Sequence, residues 1–393
     1  MVKKNLGVIF GGMSTENKVS EESAKSVLEN LDKEKYNIYP IYISKDGNWW
    51  KGKESKEKIE NIVEYLKQLD VVFPVLHGLY GEDGTIQGLL ELLRIPYVGC
   101  GVLASSVGMD KVYTKAIFAQ AGLKQAKYEY IKKYKDKYIY VDKQFNEKIV
   151  TLQEAVEIIV KNLGLPVFVK PSRSGSSVGV NKAKTKEEVE KYIKEAAQFD
   201  NKIIIEEQIE AREIECAVLG NEEAIASVLG EVKSAENFYS YSAKYQNKES
   251  ITVIPAELPT EITEKIQKQA IKAFKAIDGK GLSRVDFFID KNTSEIYINE
   301  INTLPGFTSI SMYPQLFAKS GIEYKELLDK IIQCPIEDVS LWDKTCQWGR
   351  FSLAENDKKS IKTMDFFCFC GIMVIPNFRG GCKKWFLRII IKY

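Results

Sequence analysis

A parallel α/β layer leading into two α+β lobes is the fold class this sequence predicts, and three features predict it. Short apolar runs alternate with helix-period segments over roughly the first 100 residues, the pattern of strands covered by crossover helices. The alternation continues to about residue 200. Beyond it, strand-like runs dominate, and the last two bracket the turn-like "KNTS" at 291–294.

Each element follows from its residues. "LGVIF" reads as a buried first strand that stops at Gly11-Gly12. Ala24, Val27, Leu28 and Leu31 then recur at helical spacing behind Ser20, which is expected to cap that helix with Glu21 and Glu22 in its first turn. "YNIYPIYIS" and "DVVFPVL" supply further strands, and Ile86, Leu89, Leu90 and Leu93 give the helix in "DGTIQGLLELLRI" one apolar face. A helix over "DKVYTKAIFAQAG" ends at Gly122, "LPVFVK" is a strand, and "KTKEEVEKYIKEAAQ" is a helix. "KIIIEE", "IECAVLG" and "EAIASVLGEV" follow, then helix "TEITEKIQKQAIKAFKAI" and the pair "RVDFFID" and "EIYINEIN". No internal repeat interrupts this order.

Composition narrows the function. Lys and Arg total 56 against 54 Asp and Glu, a net charge of +2. That balance offers no field for nucleic acid, so any charged ligand must be held locally. The opening apolar run is too short for a signal-peptide core, and no stretch reaches the roughly 18 apolar residues of a membrane span, so a cytoplasmic location is expected. Seven cysteines in 393 residues are too few for a disulfide scaffold. Cys100 and Cys216, in apolar surroundings, read as buried reduced thiols.

Two constellations carry chemistry. A hairpin about 291–294 sets Asp286 opposite Glu300, and the period of two puts Glu300 and Asn302 on one face. Facing carboxylates repel, and a hard divalent cation such as Mg²⁺, bridging substrate phosphates, relieves that; solvated strand ends with unrelated charges fit the spacing equally. In "KPSRSGSSVGV", 170–180, Lys170 closes an apolar strand ahead of Ser and Gly residues whose N–H and O–H groups suit phosphate oxygens. Lys111 follows the expected helix cap Asp110, where a cation is unfavourable unless Asp110 or a bound anion compensates; a solvated surface lysine would look the same. His77, the sole histidine, ends a strand before a glycine-rich loop, the edge at which open α/β sheets bind ligands, with a satisfied structural histidine as the alternative.

Two mimics are set aside. "GSSVG", 175–179, satisfies the G-x-S-x-G of serine hydrolases, in which the histidine follows the serine, yet His77 precedes it. "GNWWKGKE", 47–54, imitates a P-loop but has Glu54 where Ser or Thr would bind Mg²⁺.

Taken in order, "GVIFGGMSTE", "FPVLHGLYGEDGTIQG", "MDK", "VKPSRSGSSVG", "SRVDFF" and "NEINTLPGFTS" resemble the D-alanine–D-alanine ligase family of ATP-grasp enzymes, over the chain to about residue 332. The resemblance implies a Rossmann-like N-terminal domain at 1–100, a two-lobed ATP-grasp at 101–200 and 201–333, and a tail at 334–393 outside the match. It implies a bacterial, cytoplasmic homodimer that joins two D-alanine molecules for peptidoglycan. ATP phosphorylates the first carboxylate, and the amine of the second D-alanine attacks the acylphosphate. ATP and two Mg²⁺ ions, replaceable by Mn²⁺, are the implied cofactors.

The same resemblance assigns roles. Lys111 and Lys170 hold ATP phosphates, Glu206 and Glu213 lie at the adenine and ribose, and Asp286, Glu300 and Asn302 carry metal. Glu16 holds the first ammonium with Ser176 and Tyr245 as hydrogen-bonded partners, and His77 contacts the first substrate. Arg284 and the backbone N–H of Gly306 stabilise the tetrahedral oxyanion; Arg284 is expected on the strand face opposite Asp286 unless the strand bends. Ser311 meets the second carboxylate. The polar segment 233–250, which carries Lys244 on the ATP side and Tyr245, matches a mobile lid that excludes water from the acylphosphate.

Departures bear on specificity. Lys18 and Ile310 stand where the family commonly has an acid and a histidine, and neither change removes a ligand. D-serine-type relatives tend to carry arginine where Met312 stands, so Met312 favours D-alanine as acceptor. A D-alanine–D-serine ligase and a nucleotide-binding descendant without turnover are the alternatives, and the intact Lys111, Lys170, Arg284, Asp286, Glu300 and Asn302 argue against the second. The tail holds five of the seven cysteines and no acid after Asp365. Its "CFC…C" is not a zinc spacing, no histidine being at hand; a frameshift or gene fusion is the favoured reading, with a packing strand or a partner-binding or membrane-touching segment as alternatives, and truncation near 333 is expected to spare activity.

Overall fold

The structure is a computed structural model that describes residues 2–175, 178–233, 251–308 and 310–346, with side chains through 337. The chain divides into two compact units, Met1–Ile336 and Glu337–Tyr393, and three sheets lie in the first.

The first sheet is the expected parallel layer with one short antiparallel edge strand. It contains β1 (Lys4–Gly11), β2 (Tyr36–Ile43), the short β3 (Trp49–Trp50) and β4 (Val71–Val75), in the order β3-β2-β1-β4. Strand β1 pairs in parallel with both β2 and β4. Leu6, Val8 and Phe10 face helix α1 (Asn17–Asn30) through Ala24 and Val27, while Ile9 and Val72 meet α2 (Ile62–Leu66) and α3 (Thr85–Leu93) through Leu66, Ile86 and Leu90. Both faces are covered, as a parallel sheet requires.

Helix α1 departs from expectation at its start. It begins at Asn17, so Ser20 lies inside it and no acid occupies its first turn. The Ser20 hydroxyl accepts from the Gly11 N–H at 2.8 Å and donates to the Val75 carbonyl at 2.5 Å. It ties an N–H at the end of β1 to a carbonyl at the end of β4, a buried demand stronger than capping a helix. Glu16 takes the N-cap position without bonding the helix end.

Helices α4 (Val102–Met109) and α5 (Lys111–Gln120) lead onward, and Asp110 caps α5 as expected, accepting from the N–H groups of Val112 and Tyr113. The second sheet comprises β5 (Tyr128–Tyr134), β6 (Lys137–Val141), β7 (Glu147–Val150), β8 (Val167–Pro171), β9 (Asn181–Ala183) and β10 (Lys202–Glu207). Its order is β7-β6-β5-β10-β8-β9, covered by α6 (Leu152–Leu163) and α7 (Lys186–Ala196). The sheet therefore crosses the boundary expected at 200/201. Ile203, Ile204 and Ile205 of β10 are fully buried between β5 and β8, and only that place in the sheet removes all three from water.

The third sheet runs β13-β12-β11-β14-β15, built from β11 (Ala211–Leu219), β12 (Ile225–Lys233), β13 (Ile251–Val253), β14 (Leu282–Asp290) and β15 (Ile296–Asn302). Helix α8 (Thr260–Ala276) covers one face through Ile266, Ala270 and Phe274. On the other, α9 (Met312–Lys319) and the start of α10 (Tyr324–Cys346) share one core with α1 and β1. Helix α10 runs through the boundary expected at 333/334. No helix among the described residues is long and apolar enough to cross a membrane.

Candidate active site

Strands of the second and third sheets, with α1 and the segments that follow β1 and β4, line one cavity of about 1200 Å³. Glu16, His77, Lys111, Lys170, Glu206, Glu213, Arg284, Glu300, Asn302, Gly306, Ser311 and Met312 all border it. Ser176, Lys244, Tyr245 and the segment expected to form a lid, beyond Lys233, lie outside the described residues.

One wall is acidic. Strands β11, β14 and β15 are neighbours, and their register sets Glu215, Asp286 and Glu300 in a single rung, with Asp286 opposite Glu300 as the hairpin predicts. Arg284 lies on the same face as Asp286, not on the opposite one, because residues two apart along a strand share a face. Its Nε and Nη2 each donate to the Asp286 carboxylate at 2.7 Å, and Nε is 2.9 Å from Glu215 Oε2. Burial opposes the Arg284 charge, but Asp286 and Glu215 more than offset it and hold its pKa well above the ordinary value. Asn302 Nδ2 donates to Asp286 Oδ2 at 3.1 Å. Asp286 is thus turned onto Arg284 and Asn302, and it is the one described candidate that does not border the cavity.

Among the described residues, no three acidic, histidine or cysteine side chains gather as a metal-ligand group; the expected trio holds two carboxylates and one amide. Its donor chemistry fits a hard divalent cation, since every ligating atom it offers is oxygen and the rung sets three carboxylates against one guanidinium.

The facing wall is basic. Lys170 of β8 and Lys115 of α5 both pair with Glu206 of β10, Lys115 at 2.8 Å. Lys115 and Glu206 are only 3% and 4% exposed, so this is a buried triad with two ammonium groups for one carboxylate. Burial would raise the Glu206 pKa, yet the two lysines prevail and hold it far below the usual carboxylate range. Burial would likewise lower Lys170, but Glu206 raises it on balance. Sequence reasoning missed Lys115, although it sits one helical turn after Lys111, an i, i+4 signal that could have found it. Lys111 bridges the walls: Nζ donates to the Ser174 carbonyl at 2.8 Å and lies 4.0 Å from Glu300.

The third end is set by Glu16 and His77. A Cβ at Gly78 would stand 2.4 Å from Glu16 Oε2, and one at Gly175 2.8 Å, so both glycines exist to admit this carboxylate; Gly78 also has φ +74°. His77 is buried, with Nε2 2.9 Å from Ser23 Oγ and Nδ1 3.5 Å from Glu82. The Ser311 hydroxyl accepts from the Thr308 N–H at 2.9 Å, and a Cβ at Gly230 would sit 2.3 Å from the terminal methyl of Met312. Cys100 and Cys216 are free and buried, and burial pushes both thiols up to about 12, which leaves them inert.

The family model for the C-terminal part of D-Ala–D-Ala ligases matches residues 117–333, and the model for the N-terminal part matches 5–66 and 53–100. The chain belongs to the D-alanine–D-alanine ligase family. That family consists of ATP-dependent, ADP-forming ligases of the ATP-grasp type, which depend on a divalent metal. The D-alanine–D-alanine ligase of Ruminiclostridium cellulolyticum is 50% identical over 374 residues, covering 86% of this chain and 96% of the relative. That of Clostridium acetobutylicum is 48% identical over 347 residues, covering 84% and 98%. Among solved structures, the VanG D-Ala:D-Ser ligase from Enterococcus faecalis superposes with a TM-score of 0.74 at 36% identity, covering 85% of this chain and all of that one. The D-alanine–D-alanine ligase from Coxiella burnetii gives 0.73 at 32%, covering 88% and 97%.

Proposed function

We propose that the chain joins two D-alanine molecules into D-alanyl-D-alanine for peptidoglycan, at the expense of ATP, in the bacterial cytoplasm and as a homodimer. The observation that carries this reading is the opposition of walls: carboxylates on β11, β14 and β15 face Lys170 of β8 and Lys111 of α5 across one cavity, with Lys115 sharing the Glu206 partner of Lys170. A nucleotide triphosphate with a bridging cation complements both. Asp286, Glu300 and Asn302 would hold divalent cation, two Mg²⁺ ions replaceable by Mn²⁺, which offsets charge on the transferring phosphoryl group. Lys111 and Lys170 grip the phosphates, with Glu206 and Glu213 toward the nucleoside. Glu16, backed by Ser176 and Tyr245, fixes the first ammonium, and His77 contacts that substrate. Lys244 and Tyr245 ride the lid that shuts out water.

The reaction then runs in two steps. A carboxylate oxygen of the first D-alanine attacks the γ-phosphorus, and the bond to ADP breaks. The second amine attacks the acyl carbon and loses a proton, and the C–O bond to phosphate breaks. Between those events Arg284 and the Gly306 N–H stabilise the oxyanion, while Ser311 orients the second carboxylate.

Similarity to the VanG D-Ala:D-Ser ligase raises D-serine as the second acceptor. Met312 argues for D-alanine: its apolar end packs on Gly230 beside the cavity and offers no partner for a hydroxyl. Phosphate release with D-alanine alone, then with D-alanine plus D-serine, tests this. Faster release and a mixed dipeptide in the second case would replace the reading.

A further inference from the structure

The α1 wall holds a hydroxyl that the reaction above does not use. Ser23 is fully buried, and its Oγ lies 2.9 Å from His77 Nε2 and accepts the Phe307 N–H at 3.2 Å. One turn on, Ser26 pairs with the Tyr324 phenol at 3.2 Å, and that phenol donates to the Phe307 carbonyl at 3.0 Å. Helix α1 therefore grips both polar groups of residue 307, the neighbour of Gly306. The Phe307 ring is fully buried and meets Phe73 of β4 edge-on at 5.4 Å. The backbone is anchored to α1 and to Tyr324, and the ring to β4, the strand that leads to His77.

Proton accounting then decides the imidazole. A carboxylate only accepts, and Glu82 Oε1, which takes the Gly78 N–H at 3.1 Å, stands 3.5 Å from His77 Nδ1. A proton on Nδ1 faces that carboxylate and leaves Nε2 to accept the Ser23 O–H, while the serine oxygen takes the Phe307 N–H. The serine then both donates and accepts, and the Nδ1 proton faces a carboxylate 3.5 Å away. The reverse tautomer aims a bare lone pair at Glu82 and denies the serine proton this acceptor.

We infer that Ser23 is a positioning residue that holds His77 in its Nδ1–H tautomer and ties it to the Gly306–Phe307 peptide, whose glycine lies against Ser311, a Cβ there standing 2.9 Å from its Oγ, so that the two D-alanine subsites are set as one unit. The subsites rest on the ligase reading; the ring's proton does not.

Because His77 is the sole histidine, ¹⁵N-labelled histidine in the full-length protein yields one pair of ring signals. Near pH 8 the expected spectrum shows a protonated Nδ1 and a bare Nε2. Ser23→Ala is expected to mix the tautomers and raise the apparent KM at both D-alanine sites on the order of tenfold, the scale of one lost hydrogen bond. A protonated Nε2 in the wild type, or a KM change at one site only, overturns the inference. The wild-type spectrum carries the test if Ser23→Ala does not fold. A Nδ1–H ring in a chain that makes no dipeptide supports the tautomer and removes the ligase reading instead.

Discussion

The two charged walls of the cavity are built to opposite deficits. On β11, β14 and β15, Glu215, Asp286 and Glu300 share one rung, in which Arg284 pairs with Glu215 and Asp286 while Lys111 lies 4.0 Å from Glu300. On β8, β10 and α5, Lys115 and Lys170 share the single carboxylate of Glu206. Each wall is internally paired, so the fold tolerates the burial of its charges, and each is left wanting the opposite charge from a ligand. Catalytic surplus and structural pairing are therefore properties of the same side chains.

The largest expected effect comes from removing the shared counter-charge of either wall, Arg284 or Glu206. Arg284→Met leaves Glu215 and Asp286 side by side and should cost about 3–5 kcal/mol in a denaturant titration, the range for orphaning a buried charge. Glu206→Gln does the same to Lys115 and Lys170. The contrast predicts opposite rescues: Mg²⁺ should restore stability to the first variant, and inorganic triphosphate to the second. Rescue of both by the same ion would end the comparison.

A smaller change tests the residue that the sequence left hidden. Lys115→Met keeps the Lys170–Glu206 pair but cancels the positive surplus, and should raise the KM for ATP by on the order of tenfold, the scale of one charged contact near 1.5 kcal/mol. An unchanged KM would make Lys115 structural only.

The smallest effect lies in pH. The Glu206 pKa is depressed by folding, so its contribution is fully present above the unfolded value of 4.5 and is lost as pH falls below it. The stability gap between wild type and Glu206→Gln should be flat above about pH 5 and shrink on acidification. Lys170 is raised, so its own contribution holds below 10.5 and is lost as pH rises through the folded value. A gap that widens in acid would contradict the buried triad.

How far the site could be read in advance depended on range along the chain. The Asp286–Glu300 pairing and the Asp110 cap were legible because a tight turn and a single helix turn decide them. The Arg284 face was equally legible, since strand period two already places it with Asp286, and the expectation of the opposite face misapplied that rule. Ser20 looked like a cap because caps and buried strand ties use the same hydroxyl. Nothing near Glu206 in sequence announces Lys115, 91 residues away, or Lys170, 36 away.

Local chemistry, readable residue by residue, determined which segments become strands, where helices stop, and which side chains of the acidic hairpin and Ser/Gly loop could serve a phosphate or a cation. Tertiary structure alone decided that β10 completes the second sheet, that Lys115 and Lys170 converge on one carboxylate, and that Ser23 joins His77 to Phe307. The reason is physical: turns and caps are satisfied within a few residues, whereas a buried charge or hydroxyl takes whatever partner the packing of distant strands brings within about 3 Å.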